Sequence, residues 1–172
     1  MEWKVLMSVI VLALLGISSI LYGSFRWQRE SRKLQPAMAA GRIFLAEKSY
    51  DSGELKELPA LVERYLHRVL KAKSPMVAAV QIHHKETLNM SERGEAWKSF
   101  SSIQHVVVRP SGFFWNARIR VMPGLPVFVR DAYIAVSGVL TAKLWALLTI
   151  VKEPQTPELA HGRLMRNLAE AV

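Results

Sequence analysis

The sequence predicts an α+β protein: an N-terminal transmembrane helix followed by an antiparallel β-meander packed with two or three helices. Three observations carry this expectation. Val5 to Tyr22 passes without a charge. After Pro75 the hydrophobic period changes from near four to two. The strand-like runs that follow are joined by turns too short for the crossover that parallel neighbours need.

As a helix rising ~1.5 Å per residue, the uncharged run is about 27 Å long, close to the roughly 30 Å hydrocarbon thickness of a bilayer. Trp3, Tyr22 and Trp27 flank it, where amphipathic rings prefer to sit. A cleavable signal fits less well. Lys4 is offset by Glu2, the small residues Gly16 and Ser18 lie inside the apolar run, and Ala37 and Ala39 lie beyond the basic cluster. The chain has no cysteine, which excludes a lipid-modified amino terminus, disulfides and thiol chemistry. The expected organisation is a retained single-pass anchor over 1–24, a basic linker over 25–36 and an α+β domain over 37–172. Arg26, Arg29, Arg32 and Lys33 follow the span and only Lys4 precedes it, so the charge rule puts the bulk of the chain in the cytoplasm.

Beyond Lys33 the chain still carries 18 basic against 12 acidic residues. A protein lying against an anionic membrane surface carries such an excess, at about 1 kcal/mol of attraction per nearby basic residue. Nucleic-acid binding is not expected, because the cations are scattered rather than clustered with aromatics between them.

After the linker, Ala37 to Tyr50 has a moderate helix signal, broken by Gly41. Leu58, Leu61, Val62, Tyr65, Leu66, Val69 and Leu70 recur at helical steps and predict an amphipathic helix ending near Lys73, with Pro59 in its first turn. Strands are expected at Met76 to Lys85, Ile103 to Arg109 and Phe113 to Met122. Another should begin at Val127 and run towards Leu140. Pro110-Ser111-Gly112 and Pro123-Gly124-Leu125-Pro126 supply turns. Ala132 to Val151 is apolar enough to raise a second membrane span, but Lys143 near its centre costs ~3 kcal/mol. A strand, a bulge near Gly138 and a further strand or hairpin suit it better. Thr156-Pro157-Glu158 is a helix start, with a hydroxyl cap and proline in first position.

Several tokens resemble one bacterial family of membrane-associated proteins, a domain of unknown function. They are Leu58-Pro59 with Val62, Arg64, Tyr65 and Leu66; Trp97 with Phe100 and Gln104; Arg109-Pro110-Ser111-Gly112-Phe113 with Trp115 and Ala117; Asp131-Ala132-Tyr133 with Gly138; and Gly162 with Leu164, Arg166 and Leu168-Ala169-Glu170. The resemblance covers about Leu58 to Val172. Family members usually continue past the last helix with a Trp-x-Pro segment and more strands, so it implies a domain incomplete at its C-terminus. Asn167 stands where Tyr is usual. The pattern also resembles the half-open barrels of lipoprotein and lipid carriers, which implies that the meander is curved and, as an alternative, that the domain lies outside the cytoplasm.

A metal centre is not expected. Adjacent His83 and His84 point to opposite faces of a strand, and no His-x-x-x-His spacing occurs. There is no nucleophile elbow and no glycine-rich phosphate loop, so no catalytic residue and no cofactor is assigned. The residues singled out for ligand binding are Trp97, Gln104, Trp115, Asp131, Tyr133, Arg166 and Glu170. The polar ones match the family tokens, and the aromatics would suit an acyl chain as well as a core. The expected function is non-catalytic binding of a lipid or other apolar ligand at the membrane surface. Two alternatives are a hydrolase-like enzyme using Asp131 or Glu170 and a membrane-tethered scaffold.

Overall fold

The computed structural model describes residues 2–40 and 49–170. Helix α1 spans Glu2–Ala40, α2 Ala60–Val69 and α3 Pro157–Glu170. Six strands lie between α2 and α3: β1 Ala79–Asn89, β2 Trp97–Val107, β3 Gly112–Met122, β4 Leu125–Ile134, β5 Ser137–Leu144 and β6 Leu148–Lys152. They form one curved sheet in sequence order, every pair antiparallel. This is the expected α+β meander behind a long apolar helix.

The first part of α1 is long and apolar enough to cross a membrane, and none of that stretch is buried in the protein. The stretch read as a basic linker is not a separate neck. It continues α1 without interruption, and Pro36 lies on the helix's exposed side, where the carbonyl that loses its amide partner is within reach of solvent. The reason is a stripe hidden among the charges. Trp27, Ser31, Leu34 and Met38 recur at steps of four and three, so they share one face of the helix. That face docks on the sheet.

Met38 packs with Val107, Phe114 and Ala132, and Leu34, Ala79, Ile134 and Val139 surround them. Trp27, 2 % exposed, meets Phe128 edge-on and donates from Nε1 to Asn116 Oδ1 at 2.9 Å. Burying such a side chain contributes about 2–3 kcal/mol. Nearer the N-terminus, α1 passes close to the β5–β6 turn. A Cβ on Gly23 would stand 2.6 Å from the Leu147 side chain.

From Gly23 to Met38 the contacts advance along the strands. The part of α1 before Gly23 therefore projects past the end of the sheet that carries the β1–β2, β3–β4 and β5–β6 turns.

Helix α3 covers part of the opposite face, over β3, β4 and β5. Its close approach depends on Gly138, where a Cβ would lie 3.0 Å from both the Ala160 amide nitrogen and Leu159 Cγ. Leu159 N donates to Thr156 Oγ1 at 3.2 Å, the cap that the Thr-Pro-Glu start implies.

Several element boundaries differ from the periodicity. Strand β2 begins at Trp97, because its serine-rich first half pairs residue by residue with β1. The apolar stretch from Ala132 to Val151 is three strand segments turned twice, at Ala135-Val136 and at Trp145-Ala146, all four with positive φ. Helix α2 is shorter than its apolar pattern. None of its residues is buried, and Leu61 is 76 % exposed. The expected break at Gly41 lies outside the described residues.

Candidate ligand groove

Alternation along the strands puts Val80, Ile82 and His84 of β1 on the face opposite α1, with Phe100, Gln104 and Val106 of β2 and Trp115 of β3 beside them. Helix α3 stops short of this half of the sheet. The chain between α2 and β1 passes over it instead, held by a bridge between Ser49 and Pro75 and by Val108 N donating to Ala78 O at 3.1 Å. Between the two lies a groove of about 920 Å³, roofed by Leu70, Pro75, Met76 and Val77. Its size falls at the upper end of the roughly 300–1,000 Å³ usual for small-molecule sites.

The lining is apolar and aromatic. Phe100 and Trp115 meet at 6.1 Å, and His84 lies 6.4 Å from Phe100. Buried Gln104 faces His84 Nε2 through Oε1 at 3.3 Å.

One end of the groove is closed by Arg166. Its guanidinium lies over Phe113 and Trp115, 5.2 and 5.6 Å from the ring centres, and donates through Nη1 to Asp131 Oδ2. Asp131 is 3 % exposed and meets a second cation, Arg163, whose Nε lies 2.8 Å from Oδ1. That atom pair lacks hydrogen-bond geometry, so the contact is electrostatic. Arg163 also reaches Glu153 at 3.8 Å. Burial pushes the Asp131 carboxyl above its usual range, with Arg163 and Arg166 opposing the shift.

Of the residues singled out from the sequence, Gln104, Trp115 and Arg166 line this groove, and Asp131 holds Arg166 from behind. Tyr133 is buried beside the start of α3, in a separate recess with Gly138 and Pro157. Trp97 lies on the α1 face at the start of β2, 58 % exposed, away from the groove. The side chain of Glu170 lies outside the described residues.

Sequence reasoning missed Val80, Ile82 and Val106, whose alternation reads as ordinary core. It also missed Arg163, although Arg163 and Arg166 are three residues apart and share a helix face. Among the described residues no group of His, Asp and Glu side chains could hold a metal ion.

The architecture defines an α+β sheet domain joined to an apolar helix of membrane-spanning length. The chain belongs to the family described as "Family of unknown function (DUF6920)", whose model matches residues 56–172. No curated protein and no solved structure matches it.

Proposed function

We propose that the protein is a membrane-anchored, non-catalytic binder of a lipid-like amphiphile, with α1 retained as the anchor and the acyl chain laid in the groove. The observation that carries this reading is the pairing of a large apolar trough with one arginine at its end. Val80, Ile82, Phe100, Val106 and Trp115 favour methylene chains through burial, at ~25 cal/mol per Å² of apolar area. The guanidinium of Arg166 gives an anionic head a charge-assisted donor. Asp131 fixes that guanidinium in place. The basic residues after the span favour a cytoplasmic domain.

A hydrolase using Asp131 is less favoured, because two guanidiniums already engage its carboxylate.

Full-length protein purified in mild detergent is expected to carry a lipid adduct in native mass spectrometry. Val106→Glu should remove it while leaving the thermal melt of the α1-docked domain largely intact. Absence of any adduct from the wild type, together with no uptake of added fatty acid or phospholipid, would sink the proposal.

A further inference from the structure

The α1 face carries a second recess, of about 680 Å³, towards the end of the sheet past which the apolar part of α1 projects. Lys85, Ser101 and Arg118 are cross-strand partners in one row of β1, β2 and β3, and Ser99 and Arg120 stand one step nearer the turns. Strands ~4.8 Å apart put Lys85 and Arg118 about 10 Å from each other, and Arg120 lies roughly 7 Å along its strand from Arg118.

Like charges gathered on one face repel, and among the described residues no carboxylate pairs with any of these three. Glu86, at the rim, belongs to the other face of β1 and approaches His84 Nδ1 at 3.6 Å. Glu92 and Glu95 lie in the β1–β2 turn. The Arg118 guanidinium lies over Phe128, 5.5 Å from the ring centre.

The surroundings match a membrane boundary. Trp97, Met90, Met122 and Leu148 are exposed apolar side chains at or beside the three turns of this end. Trp145, at the β5–β6 turn, donates from Nε1 to Gly124 O at 2.7 Å, which ties that turn to β3–β4. Aromatic rings and cations together are the usual signature of the headgroup layer.

We infer that Lys85, Arg118 and Arg120, with the hydroxyls of Ser99 and Ser101, bind the phosphate headgroup of an anionic phospholipid in the leaflet that α1 enters. This rests on the anchor in the reading above but not on the acyl groove.

The test uses full-length protein in nanodiscs of phosphatidylcholine with a minor share of phosphatidylglycerol, the lipids retained being counted by native mass spectrometry. Wild type should retain phosphatidylglycerol above its bulk share. Each cation near an anionic leaflet adds roughly fivefold in affinity. The triple variant Lys85→Gln, Arg118→Gln, Arg120→Gln should therefore lose on the order of a hundredfold and fall to the bulk share. Arg64→Gln, Arg68→Gln, Lys71→Gln, an equal charge change in and just beyond α2, should keep the enrichment.

Equal loss in both triples, or no enrichment in the wild type, overturns the site. Release of the lipid by millimolar glycerol phosphate would make a soluble phosphate the ligand and overturn the lipid assignment. Flotation with liposomes separates the readings. Protein that fails to float undoes the anchor, whereas protein that floats without lipid preference undoes only the headgroup site. Val106→Glu, which targets the groove, should leave the preference unchanged.

Discussion

Arg130 shows how one buried cation can join two elements. It is stacked 4.1 Å from the Trp27 ring centre, and its Nη2 donates to Trp27 O at 2.9 Å and Ser31 Oγ at 2.8 Å. Glu30 balances its charge at 3.5 Å. Arg130→Ala should cost about 2 kcal/mol, from lost charged hydrogen bonds and the ring contact. Arg130→Lys should restore less than half, since an ammonium lacks the planar fork. Thermal melts in detergent, read by Trp fluorescence, check both.

Asp131 makes a pH prediction at the same scale. Its carboxyl is raised above the ordinary value by burial, so as the pH falls the folded state takes up this proton before the unfolded chain does. Its contribution to stability is then greatest at low pH and is lost as pH rises through the raised value. The Tm of the wild type minus that of Asp131→Asn, an uncharged isostere, should fall as the pH rises from acid to neutral. A difference that grew towards neutrality would mean that the arginines outweigh burial.

Among the elements, α3 is set by its contact with β5. Gly138→Val would push against the Ala160 amide and Leu159, displacing the helix and with it Arg163 and Arg166. We expect loss of the Asp131 ion pairs, a drop of several degrees in Tm, and weaker lipid retention in native mass spectrometry. This helix was legible in the sequence because its start is local chemistry: a hydroxyl cap, a proline and an acid. Strand β3 was legible for a similar reason, its apolar residues being bounded by Pro-Ser-Gly and Pro-Gly. The turns at Ala135-Val136 and Trp145-Ala146 were not. They take positive φ without glycine or asparagine, so tertiary pairing overrides local preference. The groove was half legible. Gln104, Asp131 and Arg166 stood out through the family resemblance and Trp115 as a bulky aromatic, whereas Val80, Ile82 and Val106 became a lining only because α3 leaves that half of the face open.

For the whole molecule, the informative feature is that α1 belongs to the sheet's core as well as to the apolar span. A fragment beginning at Ser24 keeps Trp27, Ser31, Leu34 and Met38, and should fold with a cooperative melt. One beginning at Pro36 loses Trp27, Ser31 and Leu34, uncovers Phe128 and Arg130, and should aggregate or lose near-ultraviolet circular dichroism. Similar melts for both fragments would show that docking of α1 contributes little. Charge had disguised this half of the helix as a neck, since Arg26, Arg29, Arg32 and Lys33 surround the buried stripe. The uninterrupted path from apolar end to sheet has a mechanical consequence. A module on a slack tether sweeps a wide area and can reach partners far above the bilayer. With α1 embedded as proposed, any tilt of its apolar half would tip the pleated layer with it. The groove would then sample only what diffuses past its own foot.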